Sequence, residues 1–210
     1  MSGSRCCSSI GRLVAGFYSP ARGHVNVGIG TGDEQWLRRH LAYLEQRPFY
    51  FSGDVRENVV LGDETISDRA VDACLADLGR AGLLKPVRAS DPIDGLSAGE
   101  RQVVGLGRVL VRSPSVVVLD EFTSSLDEAR EAAVFDQLRE QMAGRTIVVI
   151  AHRLSVLNLV DRVVVLSRGR VVETGAPDVL LRDPSSHLSG LARSWTSTPR
   201  TVVLRDGELR

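Results

Sequence analysis

Apolar residues along this 210-residue chain fall into two kinds of pattern. Four short runs rich in β-branched residues stand apart: HVNVGI (24–29), SVVVLD (115–120), TIVVIAH (146–152) and DRVVVLS (161–167). Runs of that length predict strands, and the helical segments between them predict a mainly parallel α/β sheet buried on both faces. Elsewhere the spacing is helical. Val71, Cys74, Leu75 and Leu78 recur at intervals of three and four, with Ile66 and Ser67 as entry and cap, so residues 54–95 read as a small helical insert between sheet elements. Ser97-Ala98-Gly99-Glu100 has the form of a capping box ahead of a helix that carries Val104, Leu106, Val109 and Leu110. From about residue 183 the chain becomes richer in Ser, Pro and Arg and reads as a loosely attached extension with a disordered end. Within it, TVVLRDGELR alternates around an Asp-Gly pair and offers a short hairpin instead.

Composition narrows the partners more than the fold. Lys+Arg and Asp+Glu each total 26, so no overall field draws nucleic acid or an anionic membrane, and nucleic acid is not an expected partner. No apolar run approaches the ~20 residues of a membrane span, which predicts that any membrane role runs through a partner. Positive charge is almost entirely arginine, with Lys85 the single lysine. Three cysteines, two of them the adjacent Cys6 and Cys7, form neither a disulfide framework nor a zinc pattern and read as reduced thiols.

Candidate chemistry concentrates in GLSAGERQVVGLGRVLVRSPSVVVLDEFTSSLD (95–127). An apolar strand ending in Asp120 and Glu121 sets two acids at the carboxyl edge of a parallel sheet, where open α/β folds place their ligands. One such acid can hold magnesium while the other orients a nucleophile, as phosphoryl transfer requires; the same pair can equally cap a helix or line a solvated loop. The small residues at 97–99 open a helix whose backbone N–H groups and dipole suit a phosphate, although a bare capping box is also an ordinary structural device.

In order and spacing, LSAGERQ, VVVLDE, SSLD and IAHRLS resemble the nucleotide-binding domain of an ATP-binding cassette (ABC) transporter of the exporter type, and the resemblance implies a P-loop NTPase-like α/β fold. Ser97, Ala98, Gly99 and Glu100 match the family signature LSGGQ, with Ala for one Gly and Glu for Gln. Asp120 matches the magnesium-associated Asp of the Walker B strand, Glu121 the catalytic glutamate, residues 124–127 with Asp127 the D-loop, and His152 the histidine that senses the terminal phosphate. LAYLEQRPFYFSGDVRENVVLG (41–62) is similar to the Q-loop region, with Gln46 as the metal- and water-contacting glutamine. Phe49, Tyr50 and Phe51 then either fill a seam between core and helical lobe or form the surface touched by a transmembrane domain.

The resemblance is weakest at the start. A phosphate loop reads G-x-x-x-x-G-K-[ST]. Aligned back from YSPARG, Ser8 takes the magnesium-binding hydroxyl and Ser9 lies beside it, but Cys7 falls on the lysine, Cys6 on the preceding glycine and Met1 on the first glycine. Arg5 sits two positions early for the lysine's role. The family also places a strand directly before this loop, beside the Walker B strand, and the chain starts after it, so the loop reads as degenerate and the core as missing its first strands. TVVLRD in the tail is the segment expected to fill that slot. PVRASDPIDG is shorter than the loop exporters carry before the signature. The domain boundaries expected are 1–53 and 96–182 for the two parts of the ATPase core, 54–95 for the helical subdomain and 183–210 for the extension. The resemblance implies ATP and Mg2+ as cofactors, and a transmembrane domain and a second cassette as partners. It also implies a cytoplasmic place at the inner face of the membrane. The impaired loop implies a signature offered to an intact partner, or else a non-hydrolysing binding module.

Overall fold

The computed structural model describes residues 4–27, 34–123, 126–151, 153–193 and 201–205. They form two compact units, one of residues 1–43, 115–124 and 144–210, the other of residues 44–114 and 125–143.

The first unit is built on a six-stranded sheet. Its strands are β1 (Leu41–Glu45), β2 (Val116–Asp120), β3 (Thr146–Ala151), β4 (Arg162–Ser167), β5 (Arg170–Gly175) and β6 (Thr201–Arg205). Their order is β1-β2-β3-β6-β4-β5. β2 and β3 are parallel, with Val116 beside Thr146 and Asp120 beside Ile150. All five residues of β2 are buried, which is why its sequence is continuously apolar up to the terminal acid. Alternate residues Val116, Val118, Val148 and Ile150 form one core cluster with Leu41. Helix α1 (Ser4–Val14) packs over β2 and β3. It comes in close at Gly11, where a Cβ would stand 2.7 Å from Ile150 Cδ1. Helix α2 (Glu34–His40) leads into β1 and sends Leu37 to the same cluster. β4 and β5 form a hairpin whose two turn residues, Arg168 and Gly169, are both left-handed with φ of 50° and 76°. That geometry matches the right-handed strand twist and explains the R-G pair.

Three of the four expected strands form as β2, β3 and β4. The fourth does not. Residues 24–27 take no ladder partner, and Val27 packs sideways on the core cluster; residues 28 and 29 lie outside the described residues. The sheet edge beside β2 is taken by LAYLE as β1. The tail also differs from the expected hairpin or disordered end. Residues 201–205 lie inside the sheet as β6, antiparallel to β3 (Ile147 beside Arg205, Ala151 beside Thr201) and to β4 (Arg162 beside Leu204). The slot it fills is not the expected one, because β2 is flanked by β1 and β3 and β6 lies beyond β3. Its apolar core TVVL satisfies the ladder groups of two strands that would otherwise be left unpaired.

The second unit is helical: α3 (Val55–Val60), α4 (Asp68–Arg80), α5 (Ala98–Arg112) and α6 (Glu128–Gln141). α3 and α4 both pack on α5. Ser67 caps α4 as expected, accepting from the Ala70 N–H, and the stripe Val71, Cys74, Leu75 and Leu78 is buried. Asp54 and Glu57 form a capping box at α3, and left-handed caps at Leu61 and Ser113 end α3 and α5. Two further helices, α7 (Pro177–Arg182) and α8 (His187–Arg193), close the first unit.

Candidate functional site

In the first unit, the second turn of α1 and the carboxyl end of β2 meet. Ser8 Oγ donates to Asp120 Oδ1 at 3.0 Å across 112 positions of sequence. Asp120 is buried to 5% exposure, because β2 lies inside the sheet and α1 covers its end. The other carboxylate oxygen is engaged too: the Tyr43 hydroxyl, from β1, donates to Asp120 Oδ2 at 2.5 Å. Tyr43 is itself hydrogen-bonded to Arg12, one helical turn beyond Ser8 on α1, and Arg12 also bonds Tyr18. Burial is the main reason the Tyr43 phenol is pushed well above its ordinary range, with the adjoining Asp120 carboxylate adding to it, so Tyr43 is a fixed proton donor. The two tyrosine hydroxyl bonds hold the Arg12 guanidinium above its already high value. Phe17 meets the Tyr43 ring edge-on at 5.2 Å between centroids.

Glu121 follows directly. Its φ of 52° is left-handed, a conformation costing about 1 kcal/mol or more for a residue with a Cβ. Its N–H donates to Ile150 O at 2.9 Å, which locks the turn as the chain leaves β2. A strained acid at a strand end is characteristic of sites where function overrides local preference. Of the other expected residues of this unit, Ser9 lies on the exposed side of α1 and His152 lies outside the described residues. Cys6 and Cys7 fall within α1, which is helical from Ser4.

The remaining expected residues belong to the second unit. Gln46 follows β1 at an exposed bend. Ser97 is the N-cap of α5: its Oγ accepts from the Glu100 N–H at 3.2 Å while Glu100 Oε2 accepts from the Ser97 N–H at 2.9 Å, and Ala98 and Gly99 are the first two helical residues. The paired bond to Ser97 holds the Glu100 carboxyl below its usual range. Asp127 caps α6, accepting from the Arg130 N–H at 2.9 Å. Ser124 and Ser125 lie outside the described residues.

The aromatic run divides. Phe49 and Phe51 are 71% and 57% exposed and meet edge-on at 5.0 Å. Tyr50 turns inward, donating to Arg101 O at 2.6 Å under the Arg108 guanidinium, 4.6 Å from its ring centre. Behind this loop Asn58 is fully buried: Oδ1 accepts from Phe51 N–H, and Nδ2 donates to Phe51 O and Asp54 O, each at 2.9 Å.

Sequence reasoning missed Tyr43 and Arg12. The available signal was weak: Tyr43 shares the face of β1 with Leu41, and Arg12 follows Ser8 at i+4.

A helix laid on a parallel strand pair, its serine hydroxyl meeting a strand-end aspartate and a strained glutamate following, defines a P-loop NTPase-like α/β domain. The family model described as "ABC transporter" matches residues 3–124, and the chain belongs to that family. It is 37% identical over 193 residues to ABC transporter B family member 15 of Arabidopsis thaliana, covering 86% of this chain and 15% of that protein. It is 34% identical over 202 residues to ATP-dependent permease MDL1 of Candida albicans, covering 89% of this chain and 29% of that protein. A solved structure, that of a bacterial Atm1-family ABC exporter with ATP bound, superposes with a TM-score of 0.81 at 28% identity, covering 94% of this chain and 36% of that one. The chain is thus a nucleotide-binding domain of exporter type and spans under a third of the length of these two relatives. Among the described residues no helix is long and apolar enough to cross a membrane.

Proposed function

We propose that this chain is the ATP-binding domain of an exporter, with its own nucleotide site impaired and its signature segment serving a partner cassette. The observation that carries this reading is the contact of Ser8 Oγ with Asp120 Oδ1 at 3.0 Å. It joins two oxygen donors of the kind magnesium prefers, at the end of a buried strand, so the residues fit the ion. Magnesium bound there would neutralise phosphate oxygens of ATP. Glu121, held by its N–H to Ile150 O, would orient a water, with Ser9, Gln46 and His152 as the further nucleotide-facing residues by family resemblance.

The impairment rests on Cys6 and Cys7, which stand where a phosphate loop requires glycine and lysine. Arg5, Cys6 and Cys7 also lie within helix α1 and so form no loop that wraps a phosphate. The signature is better preserved. Ser97, Ala98, Gly99 and Glu100 open a 15-residue helix with its cap formed, which suits a phosphate offered by another cassette, and Asp127 would lie with it. The exposed Phe49 and Phe51 pair suits a transmembrane partner, which would hold the domain at the cytoplasmic face of the membrane.

The missing lysine also favours a second reading, a non-hydrolysing cassette that only occupies a partner. One experiment separates them. The chain is mixed with an exporter cassette that has an intact phosphate loop and a disabled signature, and phosphate release is followed. The first reading predicts hydrolysis that neither protein shows alone and that Ser97→Ala in this chain abolishes. Binding to the partner without hydrolysis would support the second reading and overturn the first.

A further inference from the structure

We infer that Tyr43 is a latch on the metal-facing carboxylate, keeping Asp120 satisfied without a divalent cation and weakening the site for one. This rests on the reading of Ser8 and Asp120 as the magnesium-facing pair.

Both oxygens of Asp120 are already taken by hydroxyl donors, Oδ1 by Ser8 at 3.0 Å and Oδ2 by Tyr43 at 2.5 Å. The two donors are not equivalent. A serine oxygen keeps lone pairs for a cation while its O–H still donates to Asp120, so Ser8 can serve both. Tyr43 arrives from β1, with its ring packed against the core cluster and against Phe17, which holds the hydroxyl oxygen beside Oδ2. Arg12 extends the chain: its guanidinium bonds the Tyr43 hydroxyl, which in turn donates to Asp120, so a fixed positive charge compensates the buried carboxylate through one intervening hydroxyl. A buried carboxylate paired in this way gains less from a cation than one that lacks a counter-charge. To use Oδ2, an incoming ion must break a short charge-assisted hydrogen bond, one of the stronger kinds in a protein. Tyr43 and Arg12 lie outside the phosphate loop, so the latch impairs the site independently of Cys6 and Cys7.

The test is manganese binding to the full chain, followed by the loss of the free Mn2+ paramagnetic resonance signal, which needs neither ATP nor activity. Tyr43→Phe keeps the ring and removes the hydroxyl, and Asp120→Asn removes the charge. The latch predicts that Tyr43→Phe binds Mn2+ about tenfold more tightly, one charge-assisted hydrogen bond expressed as a binding ratio. Asp120→Asn should abolish that gain. Arg12→Gln provides a second variant should Tyr43→Phe unfold, with tightening of about threefold expected from weakening the same chain. Unchanged or weaker binding in Tyr43→Phe, with binding still lost in Asp120→Asn, overturns the latch and leaves the metal pair standing. Mn2+ binding that is indifferent to Asp120→Asn, or absent from every variant, overturns the metal pair and the latch with it.

Discussion

Asn58 organises the loop that carries the exposed phenylalanines, and Asn58→Ala measures how firmly. Its side chain makes three hydrogen bonds of 2.9 Å, to Phe51 N–H, Phe51 O and Asp54 O, and is fully buried. Arg108 adds a longer contact of 3.4 Å to Oδ1, and its Nε holds the Asn58 carbonyl at 2.7 Å. Truncation to alanine removes all three bonds: it orphans the Phe51 N–H and C=O and leaves Asp54 O with the Asn58 N–H at 3.3 Å alone. At about 1 kcal/mol each, more where water cannot enter, the expected loss is about 3 kcal/mol. With a denaturant slope of about 2 kcal/mol/M, the urea midpoint of the transition that reports α3 and α5 falls by about 1.5 M at constant slope. Hydrogen exchange gives a local reading, because the Phe51 amide loses its side-chain acceptor and should exchange among the fastest amides of the unit. A shift below about 0.5 kcal/mol, the size of an ordinary surface substitution, with Phe51 still protected, would refute the reasoning.

Gly11→Leu sets a side chain where even a Cβ stands 2.7 Å from Ile150 Cδ1, so α1 must lift from β2 and β3 at a cost of about 1–3 kcal/mol. The melting temperature should fall and be partly restored by Ile150→Val; an unchanged melt contradicts the packing. Ser97→Ala removes the acceptor for the Glu100 N–H and should cost about 1 kcal/mol by chemical denaturation; a neutral result would show that the cap does not contribute. Burial pushes the Tyr50 phenol up to about 12, partly offset by Arg108 and Arg101. The folded pKa is raised, so this group's contribution to stability is complete below the ordinary tyrosine value and is lost as the pH rises through about 12. The difference titration at 295 nm between the wild type and Tyr50→Phe should have its midpoint near 12, and a midpoint near the ordinary tyrosine value of about 10 contradicts it.

What could be read in the sequence divides along physical lines. β2 and β3 announced themselves because a strand buried on both faces is apolar throughout, β4 through its β-branched run although its burial alternates, and α4 and α5 because cap and stripe agree. HVNVGI has the composition of a strand, but composition cannot supply a ladder partner, and residues 24–27 have none. LAYLE was legible only as part of a motif, since two leucines in five residues suit either a helix or an edge strand. β6 could be suspected but not placed: pairing between β3 and β4 is a choice made by the fold, not by the period of TVVLR. At the site, Asp120 was legible as a strand-end acid and Ser8 only through the family resemblance, and the structure brings the two together. Tyr43 was not legible, because its role depends on a contact between β1 and the far end of β2 that no local pattern encodes.

The central claim is a cassette with a preserved signature and an impaired site of its own, and equilibrium binding of ATP with magnesium to the isolated chain tests it most directly. The account predicts no saturable binding at concentrations up to about 1 mM, an affinity no better than about 4 kcal/mol. It also predicts a magnesium-dependent gain when Cys6→Gly and Cys7→Lys are introduced together. Micromolar, magnesium-dependent binding by the unaltered chain, lost in Asp120→Asn, would contradict it.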